Sequence, residues 1–176
     1  KENDWFNHNA LFNLGSREAC DWLIDTVDAL IKEYHIDIYR QDFNFQPMVI
    51  WKDNETEGRV GILENLHIQG YYRFWDTLLE RNPGLLIDSC SSGGKRNDIE
   101  TMRRAVPFHY TDVGYGKHPI KQAQYRQMFE WIPYFRSHTM AWDNEDGSYG
   151  NVNRPVDKFS YLTVMTAPAI TCMIEY

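Results

Sequence analysis

Four aspartates stand at the ends of short apolar stretches: Asp42, Asp88, Asp112 and Asp143. Carboxylates at the tips of neighbouring strands can do acid–base and nucleophilic work. Glycoside hydrolysis with retention needs two such groups about 5–5.5 Å apart. One attacks the anomeric carbon; the other protonates the leaving oxygen and then activates water. The commoner task of any single Asp is to cap a helix or form a turn, and spacing alone leaves both roles open. The loop Cys90-Ser91-Ser92-Gly93-Gly94-Lys95-Arg96 offers a second feature. Adjacent glycines let backbone N–H groups approach a ligand, but the phosphate-loop pattern is absent. No spacing supports a Cys90–His109 nucleophile couple. The six histidines show no metal-ligand spacing. The residues call for neither metal nor cofactor.

The elements that must carry these groups alternate. Ser16 is placed to cap a helix with Glu18 in its first turn. Apolar or small residues at 19, 23, 27, 30, 31 and 34 keep the helical period to near His35. The stretch Ile36 to Phe45 begins as an apolar alternation and ends in Arg40, Asp42 and Asn44, as a strand does when its tip lines a polar site. Residues 46–64 read as a long loop, in which Trp51 serves equally as an apolar plug or a sugar platform. A helix follows over about 66–80, broken at Asn82-Pro83-Gly84. A second strand ends at Cys90. Asn97 with Glu100 suggests a capping box for a short helix, Ile99 to Arg104. A third strand runs over 106–112 and a helix from Ile120 to about Phe135, which Pro133 should end or kink. A strand at 137–142, a helix at 156–166 and a strand at 169–174 complete the order.

Composition limits the partners. The chain has 176 residues, 43% hydrophobic and 15% aromatic, with a net charge of −7. Acidity argues against nucleic acid. No run approaches the ~18 apolar residues that span a membrane. Three widely spaced cysteines make neither a disulfide framework nor a metal knuckle. The chain starts at Lys1 rather than Met, which reads as a segment of something longer. The compartment stays open between cytoplasm, periplasm and exterior.

Helix–strand repeats predict an α/β fold of parallel (β/α) units. The final strand lacks a covering helix, so residues 1–176 read as one partial catalytic domain, about the second half of a TIM (β/α)8 barrel, with the remaining strands upstream. Open strand edges would invite pairing with a second copy or aggregation.

Three motifs, in order, carry a resemblance. Tyr39-Arg40-Gln41-Asp42-Phe43-Asn44 resembles the K-W-D-x-N stretch of glycoside hydrolase family 36, the bacterial α-galactosidases. Asp88 to Asp98 is similar to that family's E-S-C-S-x-G-G-x-R-x-D. Tyr110-Thr111-Asp112 stands where the family has W-x-S-D. Asp112 follows Asp98 by 14 residues and Asp42 by 70, intervals typical of these enzymes. The resemblance implies Asp42 as nucleophile, Asp112 as acid/base, and Arg40, Asn44, Cys90, Gly93 and Arg96 as the sugar-binding set. It implies a retaining α-glycosidase acting on α-galactosides. The alternatives are an α-N-acetylgalactosaminidase, another α-glycosidase, or a non-catalytic sugar-binding or inactive fragment. Arg40 replaces the family's Lys, so the subsite must be shaped differently. Gln41 replaces its Trp, which is expected to remove an aromatic wall from the pocket.

Overall fold

The computed structural model describes residues 10–44, 46–107, 120, 123, 124, 126, 127, 130, 136–140, 158, 162 and 169–173. The chain divides into two compact units, residues 1–87 with 98–105, and residues 88–97 with 106–176.

The first unit is built on two long helices. Helix α1 spans Arg17–Tyr34. The Ser16 hydroxyl accepts the Ala19 N–H at 3.4 Å, as the sequence predicts for this cap. His35 ends the helix in the left-handed region (φ 53°) and its N–H donates to the Ile31 carbonyl. Cys20, Ile24, Asp28 and Ile31 form the buried stripe, at helical spacing. Strand β1 follows at Ile38–Asp42.

Helix α2, Met48–Asn54, occupies part of the stretch expected to be loop. It is seven residues long, and its cap residue, Pro47, makes no side-chain cap bond. Two turns without a cap leave little periodic signal. Burial of Trp51 against His67 (ring centroids 5.4 Å) fixes the helix, so Trp51 is a plug rather than a platform.

Helix α3 spans Ile62–Arg81 and buries His67, Tyr71, Phe74, Trp75 and Leu78. It crosses the segment leading into α1 very closely at Gly70. A Cβ there would lie 1.9 Å from the Leu14 carbonyl oxygen. Only glycine permits that approach. Polar contacts join α1 to α3 on the rim: Arg73 with Asp21, Arg81 with Asp25 at 2.7 Å, and Asn82 with Asp28 at 2.8 Å. Phe74, Trp75 and Leu78 are fully buried in the core, with Ile24, Cys20 and Ile87 beside them.

Strand β2, Leu86–Cys90, pairs with β1 in a two-stranded sheet, and the Leu86 N–H donates to the Asp37 carbonyl at 2.9 Å. Helix α4, Ile99–Met102, is capped by Asp98 rather than Asn97. The Asp98 carboxylate accepts the Thr101 N–H at 2.9 Å, and the Thr101 hydroxyl accepts the Asp98 N–H at 3.1 Å. The reciprocal box therefore uses Thr101, one residue beyond the expected Glu100. Glu100 instead binds Arg104, which also forks onto Asp76 of α3 and lies 4.5 Å over the Tyr72 ring.

In the second unit, strands β3 (Arg136–Met140) and β4 (Ala169–Met173) pair in parallel, from Arg136 opposite Ala169 to Met140 opposite Met173. These match the two strands expected at 137–142 and 169–174. The described residues between 120 and 130, together with 158 and 162, are helical. Most of the expected third strand, 108–112, lies outside the described residues. Among the described residues, no helix is long and apolar enough to cross a membrane.

Candidate active site

Strand geometry sorts the site residues. Side chains on a strand alternate between faces, and along β1 exposure alternates with them. Ile38, Arg40 and Asp42 are exposed, while Tyr39 and Gln41 are half-buried. Asn44, two residues past the strand end, is exposed as well. The face expected from the sequence is thereby corrected in one respect: Ile38 belongs to the exposed row, not to a buried strand body.

Arg40 and Asp42 are neighbours on that row. A guanidinium nitrogen of Arg40 lies 3.6 Å from a carboxylate oxygen of Asp42, with both side chains about two-fifths exposed (40% and 38%). A planar fork of N–H donors beside an accessible carboxylate can hold a hydroxyl-bearing ligand against a nucleophile.

The opposite row of β1 is fastened to α3. Tyr39 packs edge-on against Phe74, with ring centroids 6.1 Å apart at 82°. Burial pushes the Tyr39 phenol up to about 12. The Gln41 side-chain oxygen accepts the indole N–H of Trp75 at 2.7 Å. Gln41 therefore points away from Arg40 and Asp42. The expectation that it removes a wall from the sugar pocket is overturned, because position 41 faces the core helix. The period-2 rule, applied outward from Asp42, was the signal that could have found this.

The Cys90–Asn97 loop belongs to the second unit. Cys90 is the last residue of β2 and is buried. Ser92 and Gly93 both adopt positive φ, 44° and 74°. The Ser91 N–H donates to the Gly93 carbonyl at 3.0 Å, the Lys95 N–H to Ser91 and the Asn97 N–H to Gly94. Gly93 takes a conformation that a Cβ would strain, and Arg96 is half-buried in the following turn. Asp88 lies in the middle of β2 and is buried, not at a strand tip. Asp112 and Asp143 lie outside the described residues. The structure thus brings Arg40 and Asp42 onto one face of β1, with Asn44 exposed two residues beyond the strand end, and Cys90, Gly93 and Arg96 into one loop. Among the described residues no cluster of His, Cys, Asp and Glu could hold a metal ion.

The Melibiase family model matches residues 4–124, which include all seven candidate positions. The alpha-galactosidase of Escherichia coli is 30% identical over 102 residues, 58% of this chain and 14% of that protein. Alpha-galactosidase AgaA of Geobacillus stearothermophilus is 31% identical over 84 residues, 47% of this chain and 12% of that protein. The chain therefore spans a small part of the length of these relatives. The crystal structure of the GH36 alpha-galactosidase AgaA superposes with a TM-score of 0.71 at 20% identity, over 92% of this chain and 22% of the other. That of the alpha-galactosidase from Lactobacillus brevis gives 0.69 at 19% identity, over 93% of this chain and 21% of the other. This likeness bears out the α/β reading, with its parallel strands, as (β/α) units of a TIM-barrel fold. With the family model covering more than half of its residues, the chain belongs to the Melibiase family.

Proposed function

We propose that this chain is part of the catalytic (β/α)8 domain of a retaining glycoside hydrolase that acts on α-galactosides. The observation that carries the reading is the shared face of Arg40 and Asp42 on β1, 3.6 Å apart and within the span of the family match. Asp42 is the nucleophile. Its carboxylate oxygen bonds to the anomeric carbon as the glycosidic C–O bond breaks, and the leaving oxygen takes a proton from Asp112. In the second step the Asp112 carboxylate removes a proton from water, whose oxygen replaces Asp42 on the sugar. Arg40 and Asn44 hold sugar hydroxyls beside the nucleophile, and Cys90, Gly93 and Arg96 hold the ring from the glycine loop. Variants of AgaA from Geobacillus stearothermophilus have been solved with stachyose and with raffinose. Oligosaccharides of that type, with a terminal α-galactosyl unit, are the substrates this reading expects.

The test is turnover of an aryl α-galactoside by the protein and by its Asp42→Ala variant. Loss of a nucleophile is expected to reduce kcat by at least ~10⁴-fold, judged from removal of nucleophiles elsewhere. Added azide should restore turnover in Asp42→Ala and yield a galactosyl azide of inverted configuration. Equal turnover by the two proteins would exclude Asp42 as nucleophile.

A further inference from the structure

Gln41 sits between the two charged residues of the candidate site, on the alternate, half-buried row of β1. Its side chain leaves the opposite face of β1, and its oxygen accepts the Trp75 indole N–H at 2.7 Å. Trp75 is wholly buried. Its ring packs against Tyr71, with centroids 4.3 Å apart, inside the core of the first unit. An indole N–H is a donor only, and a buried donor needs an acceptor. Tyr39 against Phe74 is a second contact of β1 with α3. An aromatic contact tolerates sliding and small rotations, whereas a hydrogen bond near 2.7 Å constrains both distance and direction.

The consequence follows from the pleat. Side chains on the two faces of a strand are rigidly opposed. A roll of β1 that displaces Gln41 by some fraction of an ångström displaces Arg40 and Asp42 by a similar amount the other way. Holding Gln41 to the fully buried Trp75 therefore holds the aim of the carboxylate. We propose that Gln41 is a positioning residue for Asp42, acting through its hydrogen bond to Trp75. This rests on the reading of Asp42 as nucleophile given above.

The experiment compares kcat and KM on an aryl α-galactoside for the protein and for Gln41→Leu, Gln41→Glu, Trp75→Phe and the Gln41→Leu/Trp75→Phe pair. Melting temperatures are recorded alongside. Misplacement of a reacting group by about 1 Å can cost ~10²-fold in rate. Gln41→Leu is expected to lower kcat by about 10- to 100-fold with KM changed less than about threefold. Gln41→Glu keeps an acceptor oxygen at the same reach and should recover kcat to within about threefold of the parent. Trp75→Phe should reproduce the loss, and the double variant should be no worse than either single change, because both remove one bond. Should Gln41→Leu fail to fold, the contrast between Gln41→Glu and Trp75→Phe still decides the matter. Parent-like kcat in Gln41→Leu or in Trp75→Phe, or equal losses in the Leu and Glu variants, would overturn the proposal. Asp42→Ala in the same series separates the two readings. If it is inactive while Gln41→Leu is unimpaired, the nucleophile stands and the positioning role falls. If it turns over normally, the nucleophile assignment fails and takes the positioning role with it.

Discussion

Gly70→Ala should destabilise this protein, against the usual effect of that change in a helix. Alanine is ordinarily better than glycine inside a helix by about 0.5–1 kcal/mol. At position 70 the new Cβ would stand 1.9 Å from the Leu14 carbonyl oxygen and 2.6 Å from the Leu14 carbonyl carbon. Both are backbone atoms, so no rotamer change relieves them. Helix α3 and the lead-in to α1 must separate by roughly 1 Å or more before the contact becomes tolerable. That movement loosens Leu14, Cys20 and Tyr71, all buried at this seam, and lengthens the bond from the Cys20 thiol to the Gly70 carbonyl, already 3.5 Å. Overpacking of this kind costs about 1–3 kcal/mol and sometimes more. Set against the helix gain, the net loss is about 1–2 kcal/mol. For a chain of this size that corresponds to a fall in melting temperature of about 2–8 °C. Thermal or urea unfolding, followed by circular dichroism, measures it. Gln69→Ala, one residue away on an exposed position of the same helix, serves as the reference and should stay within about 0.5 kcal/mol of the parent. A Gly70→Ala protein as stable as the parent, or more so, would refute the close packing of α3 on residue 14.

Two titrations follow from the same structure. The Tyr39 phenol is pushed up to about 12 by burial, whereas in the unfolded chain it titrates near 10. Its contribution is present in full below about pH 10 and is lost as pH rises from there toward 12, by at most about 2–3 kcal/mol; Tyr39→Phe should flatten that part of the stability–pH curve. Lys32, donating at 2.8 Å, and Asn82 hold the Asp28 carboxyl below the usual carboxylate range. The stabilisation from Asp28 is present above the unfolded Asp value, about 3.9, and is lost as pH falls through the lower folded one. Asp28→Asn should therefore lower stability at neutral pH and reduce the steepness of acid unfolding, and an unchanged acid limb would count against the Asp28 network.

Local signals reached far in this chain. Ser16 as a cap, the stop near His35, the break at Asn82-Pro83-Gly84 and the strands ending at Asp42 and Cys90 are all set by neighbouring residues, and each stands where the sequence puts it. The strands at 136–140 and 169–173 are legible for the same reason: short apolar runs between helix-forming stretches. Helix α2 was not legible. It has no cap and too few turns for a period to show, and it exists because Trp51 finds His67 on another helix. The choice of Asp98 and Thr101 over Asn97 and Glu100 was also closed to local reading. Both pairs fit a capping pattern, and Glu100 is drawn instead to Arg104, which Asp76 and Tyr72 of α3 hold in place.

The candidate site divides along the same line. Residue types and intervals mark Arg40, Asp42, Asn44 and the Cys90–Arg96 loop as a chemical set, because a motif is a property of order along the chain. Which way each side chain faces is a property of the strand's packing. Gln41 reads as part of a pocket wall while it is only a letter between Arg40 and Asp42. Trp75, 34 residues away in sequence, turns it into a core contact, because a buried indole N–H must find an acceptor and the Gln41 oxygen, on the face opposite Asp42, supplies it.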